Sequence, residues 1–174
     1  MRTIKEDILS WSKDFLEIPN KHLNNFPVCP YAKKTRLDNH INIIEHNDSS
    51  TYLEAVIKEA DNFKGKISIV ACSDLSITAD ELADYIHALN YVYVPRDVYL
   101  MASHPEDFDE EIDFLQDTAW ESHNDFLMVL IQSFDELEEA STSLKKIGYY
   151  DNWNEDYFSG TVEQRKQYKH LRKK

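Results

Sequence analysis

Residues 66–89 read KISIVACSDLSITADELADYIHAL. The first seven, Lys66 to Cys72, have the short apolar make-up of a strand. The last part is a helix, because Thr78 followed three residues later by Glu81 is a capping-box pattern and Leu82, Tyr85, Ile86 and Leu89 recur on one helical face. A strand that gives way to an amphipathic helix is the unit of an α/β fold.

The same alternation extends in both directions. Upstream, HINIIEH (40–46) reads as a strand, and Asp48 with two serines caps a helix carrying Leu53, Val56, Ile57 and Ala60. Downstream, DVYLMAS (97–103) reads as a third strand. DFLMVLIQ (125–132) is apolar on both faces, as expected of a buried central strand. Ser133 with Glu136 opens a further helix through Leu137, Ala140 and Leu144 that stops at Gly148. Between Pro105 and Ala119, the spacing of Phe108, Ile112 and Leu115 predicts another helix. At the start, Ile4, Ile8, Trp11 and Phe15 predict a helix over about residues 4–17. The fold class that follows is α/β, a single domain with a mixed, roughly four-stranded sheet packed by helices. The alternative is an α+β ferredoxin-like sandwich. Residues 1–150 form the domain, and 151–174 read as an aromatic C-terminal arm ending in a mobile basic tail.

The chain of 174 residues has 42% hydrophobic and 29% charged residues, a globular balance long enough for one substantial core. No run approaches the roughly 18 apolar residues that span a bilayer, and MRTIKEDILSWSKDF at the start lacks the apolar core of a secretory signal. A cytoplasmic location with no membrane association is the expectation, and Cys29 and Cys72 are then free thiols. Three glycines, at 65, 148 and 160, cannot build a Gly-rich phosphate loop or a dinucleotide fingerprint. The net charge is -13, and RKQYKHLRKK (165–174) holds six of the 19 basic residues, which leaves 13 against 32 acids, or -19, in residues 1–164. Such a body is a poor nucleic-acid binder.

Positive charge gathers in one other place. FPVCPYAKK (26–34) is followed by Arg36, and residues 21–40 carry four Lys or Arg against Asp38 alone. Pro30 suits the first position of a helix, which would place Cys29 as its cap, where the helix dipole and Lys33, Lys34 and Arg36 would lower the thiol's pKa. The other reading is a cysteine that fills space under a proline-rich loop. Cys-Pro-Tyr resembles the glutaredoxin turn, yet the polar, proline-broken PNKHLNNFPV precedes it instead of a strand, and Ala32 stands where the second cysteine would be.

Taken with its surroundings, the loop resembles an uncharacterised bacterial family of short proteins with a Cys-Pro-Phe-Ala signature and a later His-Pro motif. Cys29–Pro30 and His104–Pro105 match, in a feature order that covers roughly residues 8–147, while TAWESHND (118–125) departs from that family's Asn-Arg-Ser-Pro segment. The resemblance implies that Cys29 and His104 share a site. His104 ends the third predicted strand, where α/β proteins commonly bind ligands. The candidate catalytic residues are therefore Cys29 and His104, and the candidate binding residues are Lys33, Lys34 and Arg36, for a compact anionic small molecule. A hydrogen-bonded loop histidine is the plainer reading of His104.

No cofactor motif and no complete metal-ligand set emerges. Glu106, Asp107, Asp109, Glu110, Glu111, Asp113 and Asp117 read as a solvated acidic face, His40 and His46 are too far apart along a strand for one ion, and His123 has no second ligand at characteristic spacing. Two functions remain open. One is a small cytoplasmic enzyme or small-molecule-binding protein with a Cys29/His104 site. The other is a noncatalytic interaction protein that binds a cationic partner through its acidic surface or C-terminal arm.

Overall fold

The computed structural model describes residues 2–107 and 125–172. Its sheet has four strands, β1 (Ile41–His46), β2 (Ile67–Cys72), β3 (Tyr99–Ser103) and β4 (Leu127–Gln132), in the order β1-β2-β4-β3. β1 and β2 are parallel, and β4 runs antiparallel to both β2 and β3, with Val129 opposite Val70 and Ala102. The mixed four-stranded sheet read from the sequence is present.

Helices cover both faces. On one, α3 (Ser49–Asp61) and α4 (Ala79–Tyr93) bury Tyr52, Val56, Leu82 and Ile86 against Val70, Cys72, Val129 and Ile131. On the other, α1 (Ile4–Trp11) and the π-helical turn Ser12–Leu16 that continues it place Ile8, Trp11 and Phe15 over Ile69, Ala71 and Met128. Two covered faces and a parallel β1–β2 pair set the fold apart from the ferredoxin-like alternative. Between α1 and β1, the short α2 (Ala32–Leu37) follows the cysteine loop. Among the described residues, no helix is long and apolar enough to cross a membrane.

The caps are local chemistry. Thr78 and Glu81 form the capping box of α4, and Asp48 accepts from Ser50 N–H at the start of α3. Ser133 caps α5 (Phe134–Lys146), which ends where Gly148, at φ +78°, lets its own N–H and that of Tyr149 reach the carbonyls of Lys145 and Leu144. β3 begins two residues later than its hydrophobic run. Asp97 is left-handed at φ 60°, and its carboxylate accepts from Ser133 Oγ and Asp135 N–H, so it belongs to the cap of α5. The helix predicted from Pro105 is a 3-10 turn over Pro105–Asp107, and the rest of that prediction, with His123, lies outside the described residues.

The outer edge of β3 is closed by a side chain. Asn90 on α4, 2% exposed, donates to Leu100 O at 3.0 Å and accepts from Leu100 N–H at 2.9 Å, as a neighbouring strand would.

The basic tail differs from the expectation of a mobile end. α6 (Glu155–Thr161) and a 3-10 helix over Glu163–Arg172 pack back on the body. Tyr168, 3% exposed, joins Val94, Tyr99 and Phe134 in a third apolar cluster, and its hydroxyl meets His87 Nδ1. Arg165, also buried, pairs with Glu138 at 2.8 Å, Lys169 pairs with the same carboxylate, and Arg172 pairs with Asp135. The acids of α5 and the tail's cations answer one another, which the overall charge count conceals. Tyr168→Ala is expected to lower stability by about 3 kcal/mol, the cost of truncating a buried aromatic ring. Equilibrium urea unfolding checks this, and an unchanged midpoint would show that the tail contributes nothing to the fold.

Candidate functional site

The cysteine loop is held by its backbone. Asn20 N–H donates to Phe26 O at 3.0 Å, Pro19 and Pro27 form an isolated antiparallel bridge, and Cys29 N–H donates to Leu16 O at 3.0 Å. Helix α2 starts at Ala32, two residues beyond the position expected from Pro30, because Tyr31 occupies the cap with a turn-like φ of -95°. The loop is covered by aromatic rings. Tyr149 donates its hydroxyl to Val28 O and packs edge-on to Phe26, Tyr150 and Trp153 at 5.5, 4.9 and 5.4 Å.

This cover reverses the expectation for the thiol. Desolvation pushes Cys29 up, and the nearby Glu17 carboxylate adds to it. The backbone hydrogen bonds from Tyr31 and Ala32 favour the thiolate but are outweighed. The positive charge expected to lower the pKa is used elsewhere. Arg36 makes two parallel bonds to Glu17, at 2.7 and 2.8 Å, and Lys33 adds to the field that holds that carboxylate. Lys34 is exposed. Glu17, nineteen residues before Arg36, is the residue that sequence reasoning missed, since nothing in its local spacing marks it as the partner.

His104 is 5% exposed, and both of its ring nitrogens are engaged. Nε2 donates to Ile77 O at 2.9 Å and Nδ1 accepts from Glu106 N–H at 3.1 Å, so both ring positions are committed within the protein. Its own N–H donates to Asp107 at 2.8 Å. Ile77 packs with the α3–α4 layer, whereas Val28 and Leu16 beside Cys29 pack with the α1 layer. The sheet lies between them, so the structure does not bring imidazole to thiol. Among the described residues, no group of three or more His, Cys, Asp or Glu is placed to hold a metal ion.

A different concavity lies at the carboxyl ends of β1 and β2. A cleft of about 730 Å³ runs between the N-terminal halves of α3 and α4, lined by Ser49, Ser50, Ser76, Glu81, Asp84 and Tyr85 among others. Asp74 ties its floor together, accepting from Ser49 N–H and Ser76 N–H, both at 3.0 Å, and from the Ser76 hydroxyl. These bonds hold the Asp74 carboxyl well below the usual carboxylate range. Hydrogen bonds from Ser50 lower Asp48, and those from Thr78 lower Glu81. All three are therefore anionic at neutral pH, and no Lys or Arg lines the cleft among the described residues. The sequence shows the two helix caps that build this cleft but not that they adjoin.

Compared with known proteins, the chain matches no family model, no curated protein and no solved structure.

Two outcomes follow from the Glu17–Arg36 pair. Glu17→Gln removes the carboxylate beside Cys29 and frees the guanidinium, so brief alkylation of Cys29 at neutral pH is expected to speed up several-fold while Cys72 stays slow. Mass spectrometry of the labelled chain measures both, and an unchanged Cys29 rate would show that desolvation alone sets the thiol. Arg36→Ala leaves Glu17, whose side chain is 6% exposed, without its bidentate cation, and is expected to lower stability at pH 7. Because the pair holds the Glu17 pKa down, its contribution is complete above the ordinary carboxylate range and is lost as pH falls through the lowered value. Urea unfolding of both proteins across acid pH should show the gap closing toward low pH, and a gap that persists there would rule the pair out as its cause.

Proposed function

We propose that the protein is a noncatalytic interaction protein that takes a cationic segment of a partner protein in the α3–α4 cleft. The observation that carries this reading is the cleft's make-up: an open concavity at the carboxyl edge of the parallel strands, walled by the carboxylic side chains of Glu81 and Asp84 with no Lys or Arg among its described lining residues. Its openness suits a chain segment better than an enclosed small molecule. Tyr85, exposed at 39%, offers a ring face to a Lys or Arg side chain, and the serine hydroxyls offer acceptors. The tail supplies a chemical precedent, since Arg165, Lys169 and Arg172 already seat on the neighbouring acids of α5. A reducing compartment, the cytoplasm, suits the free Cys29 and Cys72.

A tetra-arginine peptide titrated into the isotope-labelled protein tests the reading by NMR. Saturable shifts are expected at the amides of Ser49, Ser76 and Tyr85, weakening as salt shortens the screening length from about 8 Å at physiological strength. Glu81→Gln with Asp84→Asn should weaken binding about tenfold, the factor carried by hydrogen bonds to charged groups, and Gln keeps the cap of α4. Shifts confined to Asp135 and Glu138, or no saturable shift at all, would overturn the proposal.

A further inference from the structure

In a chain with 32 acids, three lysines from two separate segments converge at one place. A cleft of about 390 Å³ lies along the outer edge of β1, where Lys5 from α1 meets Lys64 and Lys66 from the turn before β2. Gly65, at φ +87°, turns the chain between the last two, so that both line the cleft. Among the described residues Glu59 is the one carboxylate in its lining, and Asn39, Asn42 and Asn62 bring amides to the wall.

The backbone adds donors. Ile67 N–H donates to His40 O and Ser73 N–H to His46 O, so the even-numbered residues of β1 turn their peptide groups toward β2. The peptide groups of Ile41 and Ile43, both lining the cleft, therefore point away from the sheet. On the opposite edge, Asn90 satisfies the corresponding groups of Leu100. Ser68, 7% exposed, also faces this cleft, and among the described residues no hydrogen bond engages its hydroxyl. Lys66 Nζ reaches Asn39 O only at 3.4 Å, a long contact that a ligand oxygen could replace.

We propose that this edge cleft binds a compact dianion carrying phosphate or carboxylate oxygens. The three lining ammonium groups outnumber the nearby carboxylates, Glu59 in the lining and Glu45 on the N–H of Lys5, and the outward N–H groups, the amides and the Ser68 hydroxyl supply directed donors. The volume lies in the range of small-ligand pockets, roughly 300–1,000 Å³. A long acidic chain does not fit: Lys5 N–H donates to Glu45 at 3.1 Å, which brings the start of α1 across the far end of the β1 edge, and the body's negative charge repels a polyanion. The site proposed for a compact anion is thus a lysine cluster separate from Lys33, Lys34 and Arg36, and it stands independently of the acidic cleft.

Inorganic phosphate and succinate, each titrated at ionic strength held constant with sodium chloride and followed by NMR, test the site. Saturable shifts are expected at the amides of Asn42, Ile43 and Ser68 with at least one probe, and which probe binds more tightly identifies the oxyanion class. Lys64→Ala/Lys66→Ala should weaken that binding by about tenfold, as loss of hydrogen bonds to charged groups implies. These lysines are exposed, so the variant keeps the fold, which its melting curve verifies. Lys33→Ala/Lys34→Ala should leave the affinity unchanged. Shifts that grow linearly with probe concentration without saturating, that are equal in the Lys64/Lys66 variant, or that vanish only in the Lys33/Lys34 variant would overturn the proposal.

Discussion

β4 sits between two antiparallel partners and is apolar on both faces, with Leu127, Val129 and Ile131 turned to one layer and Met128 to the other. Every peptide group on such a strand is satisfied only if β2 and β3 flank it, and its side chains leave water only if helices lie above and below. The three-layer architecture follows from that requirement. The crossover helices α3 and α4 supply one layer, while α1, the cysteine loop and the Trp153–Tyr157 segment supply the other. The cysteine loop is therefore part of the cover over β2 and β4, and its rings and its raised thiol pKa follow from that structural task.

Much of this was legible in residue spacing. The capping residues Asp48, Thr78 and Ser133 each begin the helix they announce, and the run DFLMVLIQ contains the central strand. The tail was not legible, for a geometric reason. Its inward residues Arg165, Tyr168 and Leu171 recur every third position, the period of the 3-10 helix they form, and a search at 3.6 residues per turn passes over them. A 3-10 run of ten residues is also long for that geometry, and here the packing of Tyr168 and the ion pairs with Glu138 and Asp135 supply what the strained backbone bonds lack.

The candidate site shows what a local charge count leaves out. Counting Lys33, Lys34 and Arg36 beside Cys29 gives a positive environment, but Glu17, at the C-terminal cap of the preceding π-helical turn, takes the guanidinium. His104 is similar. Its position after β3 was readable, whereas the carbonyl of Ile77 that occupies Nε2 depends on how the β2–α4 connection folds over the strand end, and the amide of Glu106 reaches Nδ1 through the turn that follows. The two clefts owe their character to tertiary neighbours in the same way, since the acids and the lysines that line them are unremarkable in sequence and gain meaning from which helix ends and strand edges adjoin.

The position of β4 also bears on the order of events in folding. The sheet's central strand comes last in sequence, so β2 and β3 cannot pair with each other while the gap between them is empty, and each exposes an apolar edge until β4 is inserted. The β2–β4 register joins Ser68 to Ile131, a distant pairing whose loop must close before the contact rewards it. The β1–α3–β2 unit can assemble from nearer neighbours, but the remainder waits for a single late strand. Before that step, the chain resembles a split sheet with two open edges, the form in which such proteins pair with the wrong chain.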